Sequence, residues 1–241
     1  MIDWLKRDPR KPPTLTVTGR ELPLVIRRIA NARRLTLRLA PDGSQVRVTM
    51  PRWCRTADAL AFAASRIGWL EAQAASLPLA RPVGPDASLF FRGSPVRVVH
   101  DPRAPRRPEL NDGALLAGGP VETLERRLKR WLSDQARLLL SADLAGYCDC
   151  AGLAAPALAL SNARRRWGSC SPTGAIRINW RLVMAPDFVR RSVVAHEVAH
   201  LVHFDHSPRF HAFLDELYEG DVAQANRWLK HEGRQLYGVF G

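Results

Sequence analysis

The segment Val193–Val202 limits what this chain can fold into more than any other. It reads Val-Val-Ala-His-Glu-Val-Ala-His-Leu-Val, apolar everywhere except at His196, Glu197 and His200. A helix that is apolar on nearly every side is a buried helix, so the fold must enclose this one. Two imidazoles and a carboxylate buried without partners would cost several kcal/mol, so something must satisfy them. Positions i and i+4 share one helix face, and His196 and His200 can therefore converge on one metal ion. Glu197 is turned about 100° from His196, where a carboxylate reaches a water at that ion without becoming a ligand. Two neutral nitrogen ligands, a third from further along and one open position describe a catalytic zinc site rather than a structural one.

The third ligand has several candidates. His203 lies almost on the stripe of His196 and His200, but about 7 to 8 Å along the axis from their midpoint, too far on a straight helix. His206 follows in Phe204-Asp205-His206-Ser207-Pro208. Ser207 and Pro208 read as the N-cap and first residue of a new helix, so the chain turns there and can bring His206 back over the ion. His211, Glu216 and Glu219 would lie on that next helix and are the alternatives; His206 is favoured. The spacing also fits the metzincin pattern H-E-x-x-H-x-x-G-x-x-H, except that His203 replaces the glycine. Met1, Met50 and Met184 all precede the motif, so the metzincin methionine turn is missing and that assignment fails.

A second signal precedes the helix. Arg166–Cys170 and Ile176–Leu182 flank Ser171-Pro172-Thr173-Gly174, a turn signature, and read as a β-hairpin. Alternation assigns Ile176, Ile178, Trp180 and Leu182 to its apolar face and Arg177, Asn179 and Arg181 to the other.

Taken in order, Arg166-Trp167-Gly168-Ser169-Cys170-Ser171, Ile176–Leu182, His196-Glu197-x-x-His200 and Asp205-His206-Ser207-x-x-Phe210 resemble the YgjP-like metallopeptidase family, relatives of the SprT-type zinc proteases. The resemblance runs from roughly Val25 to Trp228. It implies one zinc ion per chain, bound by His196, His200 and His206, with Glu197 as catalytic base. It also implies a sheet beside the helix that holds an extended peptide or protein substrate, with Arg166, Trp167, Gly168, Ser169 and Cys170 as its contact segment. The family often has Asn where this chain has Asp205, which affects no ligand. The expected fold is α+β: a zincin-like domain with an antiparallel or mixed sheet beside the active-site helix, and an N-terminal β-hairpin-plus-helix region.

The expected activity is peptide hydrolysis, of the endopeptidase type. The oxyanion donor is open among Arg164, Arg181, His203, His211 and Tyr237. Two alternatives are a nucleic-acid-associated protein that keeps zinc for stability and a non-peptidase zinc amidohydrolase. Glu197 argues against the first, because a carboxylate that is not a ligand adds nothing to a structural site. The signature segments of deformylases, which would support the second, are missing.

Composition bounds the rest. The chain has 241 residues, 36 basic against 23 acidic, a net charge of +13 and a pI near 10.8. All but four of the basic residues are arginine, and pairs such as Arg27-Arg28, Arg33-Arg34, Arg126-Arg127 and Arg190-Arg191 are scattered. Such a field attracts polyanions, so non-specific nucleic-acid contact is a candidate partner interaction, although no sequence-reading motif is present. Oligomeric state has no signal. The N-terminus lacks an apolar leader core and no apolar run is long enough to span a bilayer, so no membrane partner is expected and a cytoplasmic location is. Cys54, Cys148, Cys150 and Cys170 follow no disulfide or metal spacing.

Along the chain we read a tail at 1–24, a β-rich region with one helix at 25–118 that is integral to the domain, and a catalytic core at 119–241. Leu35–Leu39 and Val46–Met50 alternate around Pro41-Asp42-Gly43 as a hairpin. Thr56 caps a helix. Strands follow at Leu89–Phe91 and Val96–Val99, then an exposed loop at Pro102–Pro108 and a long helix from Pro120 to Gly146.

Overall fold

The structure, a computed structural model, describes residues 13–40, 43–75 and 83–240. The described residues form an α+β protein of eleven strands and six α-helices, in two compact units, Met1–Leu79 and Ala80–Gly241.

The first unit contains β1 (Thr14–Val17), β2 (Arg20–Ile29), β3 (Thr36–Leu39) and β4 (Val46–Pro51), in the sheet order β1-β2-β4-β3. β3 and β4 are the expected antiparallel hairpin, while β2 runs parallel to β4. Pro41 and Asp42 of the expected turn lie outside the described residues, as do residues 1–12 of the expected tail. The rest of that tail is strand: β1 and β2 pair through a tight turn at Thr18 and Gly19, both at positive φ. Two such residues match the right-handed twist of a hairpin. Pro13 and Pro23 hide the alternation from a sequence reading.

The single helix expected from Thr56 is two, α1 (Thr56–Ala64) and α2 (Ile67–Ala75). At the break the Ser65 hydroxyl donates to the Phe62 carbonyl at 2.9 Å, drawing on backbone acceptors that a continuous helix would use. The cap position is Arg55, whose N–H donates to Asp58 at 3.0 Å; the Thr56 hydroxyl instead accepts from Arg28. Ala59, Ala63 and Leu70 of the helices pack with Leu24, Val46, Val48 and Met50, which covers one face of the sheet.

The second unit opens with β5 (Ser88–Phe91), β6 (Ser94–His100), β7 (Glu109–Asn111) and β8 (Ala114–Ala117), in the order β5-β6-β8-β7. The loop before β7 is exposed as expected, apart from half-buried Ala104 and buried Pro108. α3 (Leu124–Cys150) follows a short 3-10 turn and runs through Gly146. β9 (Leu158–Ser161), β10 (Gly168–Cys170) and β11 (Ile176–Asn179) form a mixed sheet ordered β10-β11-β9, in which β11 is antiparallel to β10 and parallel to β9. α4 (Asp187–Val202), α5 (Pro208–Leu217) and α6 (Val222–His231) complete it. Val98 and Leu115 share one apolar core with Leu128, Leu140, Ile178, Val194 and Val198. The boundary read from the sequence fell at residue 118; the compact units divide at residue 79, so β5–β8 lie with α4.

One local expectation needs correction. β11 stops at Asn179, and Trp180–Met184 is a 3-10 helix, so the two-residue alternation does not continue through it. Asn179 and Arg181, assigned to a polar outer face, are both wholly buried. No helix among the described residues is long and apolar enough to cross a membrane.

Candidate metal centre

α4 is fixed before it presents any chemistry. Val189, Val194, Ala195, Val198 and Ala199 are fully buried round its circumference, as an all-apolar helix requires. At its start Arg190, 3% exposed, donates through Nε to Asp143 of α3 at 2.6 Å and also pairs with Asp187. The helix ends where His203 leaves helical geometry, its N–H still donating to the Ala199 carbonyl at 2.9 Å. Ser207 caps α5 by accepting from the Phe210 N–H at 3.4 Å, and Pro208 fills the first helical position, as the sequence predicts.

That turn brings His206 over the helix. The ligand nitrogens of His196, His200 and His206 all lie within 4.8 Å of one another. Nε2 of His206 stands 3.3 Å from Nε2 of His196. Ligands about 2.0–2.1 Å from a tetrahedral zinc are separated by about 3.3–3.4 Å, so this pair fits such an ion. His200 donates from Nδ1 to the His203 carbonyl at 3.1 Å, which leaves Nε2 free to bind. Phe210, fully buried, lies beneath all three rings, with centroids 5.0, 4.6 and 4.9 Å from His196, His200 and His206. Burial, reinforced by the neighbouring histidines, pushes the His196 pKa down to about 4, so its imidazole is neutral at physiological pH, as a ligand must be.

Glu197 is 5% exposed and one carboxylate oxygen, Oε2, is buried with no hydrogen-bond partner. Burial pushes its pKa up to about 7, against the opposing pull of the Arg166 charge and a hydrogen bond from the Cys170 backbone N–H. β10 passes directly over it. A Cβ built on Gly168 would sit 2.3 Å from Glu197 Oε1, so only glycine allows this approach. The Asn179 N–H donates to the Trp167 carbonyl and the Ser171 N–H to the Ala175 carbonyl, so Ser169 is the residue of β10 that bonds to β11. Alternation then turns the backbone polar groups of Gly168 and Cys170 outward, towards the edge of the sheet.

The segment Arg166–Cys170 therefore lies beside Glu197, with Trp167 as its support. Trp167 packs on Tyr237 at 5.3 Å and against Gly233, where an added Cβ would come within 2.9 Å of the indole. Burial, and the Glu197 charge after it, raise the Cys170 thiol pKa, which keeps it protonated.

Two candidate oxyanion donors are committed elsewhere. Arg181 donates to Asn162 and to the Phe240 carbonyl, and stacks between Trp180 and Tyr237 at 4.6 and 4.8 Å. The Tyr237 hydroxyl donates to the Ala163 carbonyl and accepts from Asn179, each at 3.0 Å. His211 is exposed on α5, its ring 6.4 Å from that of His206. The floor made by Phe210 and the network of Asn162, Asn179, Arg181 and Tyr237 were not recognised from the sequence. Their signal was an arginine and an asparagine among apolar residues, which a two-residue period assigned to solvent.

A buried helix that presents two imidazoles one turn apart, with a third folding back, forms a group that could hold a metal ion. The sequence pattern of the YgjP-like metallopeptidase domain matches residues 33–232, and the chain belongs to that family. It is accordingly a metal-binding hydrolase of the protease type. No curated protein and no solved structure matched the chain.

Proposed function

We propose that the protein is a zinc endopeptidase, holding one zinc ion per chain through His196, His200 and His206, with Glu197 as general base. When bound, the metal lowers the pKa of a coordinated water and polarises the scissile carbonyl. Glu197 takes the proton of the attacking water on its unpartnered Oε2 and passes it to the leaving amine. The single observation that carries this reading is that oxygen, buried and unbonded, on the residue that follows His196 in the helix and whose pKa is raised to about 7. A purely structural site gains nothing from such a carboxylate. Gly168 and the Cys170 carbonyl, the Cys170 N–H being taken by Glu197, offer outward backbone groups to an extended peptide, so recognition is through main chain and tolerant of sequence. His211 is the oxyanion donor best supported by its position. Four free cysteines suit a reducing compartment, and the cytoplasm is the proposed location.

Elemental analysis and cleavage of unfolded casein by wild type and Glu197→Gln test this. The variant should keep its zinc and lose roughly 10²- to 10⁴-fold in turnover, the contribution of a positioned base. Wild-type protein that is inert when zinc-replete, or a variant as active as wild type, would overturn the proposal.

A further inference from the structure

The first unit carries its charge differently from a randomly basic surface. Residues 13–40 and 43–75 contain ten arginines against Glu21, Asp58 and Glu71. Scattered in sequence, several are collected by sheet register. α1 and α2 cover the face of Leu24, Val46, Val48 and Met50; among the described residues no helix of this unit covers the other. On that open face Arg38 of β3 stands directly opposite Arg47 of β4, which is in turn the partner of Val25 of β2. In the next row Thr36, Thr49 and Arg27 are aligned in the same way. Arg27 and Arg38 are exposed, and Arg47 Nε has no hydrogen-bond partner. Among the described residues no carboxylate forms an ion pair with any of the three.

Like charges directly opposite one another across a strand pair destabilise a sheet. A directly opposed pair, Arg38 and Arg47, with Arg27 in the next row and no acid between them, makes sense when an external anion supplies the missing charge. The band continues to the end of the sheet where β2 and β4 finish, with exposed Arg33, Arg34 and Arg52. Trp53, beside Arg52, is 78% exposed. A sheet face with rows of guanidinium groups and threonine hydroxyls, ending in an open indole, suits a phosphodiester backbone with an unstacked base. The Arg28 guanidinium is not part of it, because it donates to the Arg52 carbonyl and to Thr56 at 3.2 and 3.0 Å.

We propose that the open sheet face of the first unit binds single-stranded nucleic acid through Arg27, Arg38 and Arg47, without sequence preference. DNA and RNA share the backbone chemistry, and the assay distinguishes them. This does not depend on the metal site or on peptidase activity.

The test is fluorescence anisotropy on the full chain, with labelled oligothymidylate and oligouridylate about 20 nucleotides long. Affinity is measured between about 50 and 200 mM salt, because each phosphate contact contributes about −0.7 to the slope of log K against log salt. The variant Arg27→Gln/Arg38→Gln/Arg47→Gln should flatten the slope by about 2 and weaken binding about 100-fold near 0.1 M salt. Its melting temperature should not fall, since like charges are removed. Arg103→Gln/Arg106→Gln/Arg107→Gln, in the exposed loop before β7, removes the same charge and should leave the slope unchanged. Should the first triple variant misfold, Arg38→Gln alone should flatten the slope by about 0.7. Equal weakening by the two triple variants would make the binding a diffuse property of net charge and overturn the proposal. So would absence of binding to either strand at the lowest salt, or binding confined to heparin or anionic vesicles.

Discussion

Arg190 and Arg181 of the second unit are almost wholly withdrawn from water, and both are answered. Arg190 meets Asp143 and Asp187; Arg181 meets Asn162, a main-chain carbonyl and two aromatic faces. Arg27, Arg38 and Arg47 of the first unit have no carboxylate partner among the described residues, and two of them stand opposite each other across adjacent strands. The same residue therefore has two physical roles. In the second unit it is a fastener, which sets where α4 and the segment before β10 lie. In the first it is uncompensated surface charge. The net charge of +13 adds the two together, so it overstates what is available to a polyanion in one unit and conceals its concentration in the other.

The largest effect expected from this contrast is at Arg190. Replacing it with Met leaves Asp143 without its buried partner, while Asp187 keeps Arg92, and breaking such a buried pair costs about 3–5 kcal/mol. Urea unfolding monitored by far-UV circular dichroism should show that loss, with zinc affinity falling alongside as α4 loosens. A loss under 1 kcal/mol would mean that apolar packing alone holds the helix.

A somewhat smaller effect, of opposite sign, is expected at Glu197 in the metal-free protein. Its folded pKa of about 7 lies above its ordinary value of 4.5, so between these pH values the folded state binds more protons than the unfolded. The stability this gives is complete below pH 4.5 and is lost as pH rises through 7. Glu197→Gln has no such loss. The metal-free variant should therefore match wild type near pH 4.5 and exceed it at pH 8 by about 3 kcal/mol, in urea titrations at the two pH values. His196 is common to both proteins and cancels in the difference. A gap that does not change with pH would mean that the carboxylate is better solvated than its burial implies.

The smallest effect is at Arg38. Arg38→Gln removes a like-charge cross-strand contact and should raise stability by about 0.2–1 kcal/mol at low salt, with the gain shrinking as salt is added. A destabilised variant would show that the guanidinium packs usefully on the sheet, and the two units would then differ less than proposed.

Much of the metal centre was legible in the sequence because its geometry is local. One helical turn relates His196 to His200, and Ser207 with Pro208 marks where the chain must bend to return His206. The turn at Ser171–Gly174 likewise fixed the β10/β11 pairing. Arg181 was misjudged because a strand gave way to a 3-10 helix after Asn179, and a change of period has no signature of its own in five residues. The cross-strand row of Arg38, Arg47 and Val25 was invisible for another reason. Arg38 and Arg47 meet across the local β3/β4 hairpin, but Val25 joins them through the parallel pairing of β2 with β4, which depends on contacts far apart in sequence. The tight approach of Gly168 to Glu197 belongs to the same category: the glycine was noticed, but not the atom that requires it.

The unequal exposure of the three imidazoles has a kinetic corollary. Phe210 closes the site from beneath, and His196 and His200 are half-buried while His206 is exposed. An ion held there has one face through which to leave. If the three histidines hold an ion as proposed, exchange would begin at His206, the exposed one of the three. With the proposed ion bound, release to a chelator would speed up with chelator concentration and level off at the rate at which His206 moves away. The lifetime of the loaded protein is thus set in the short loop between α4 and α5 rather than in the helix that carries the motif.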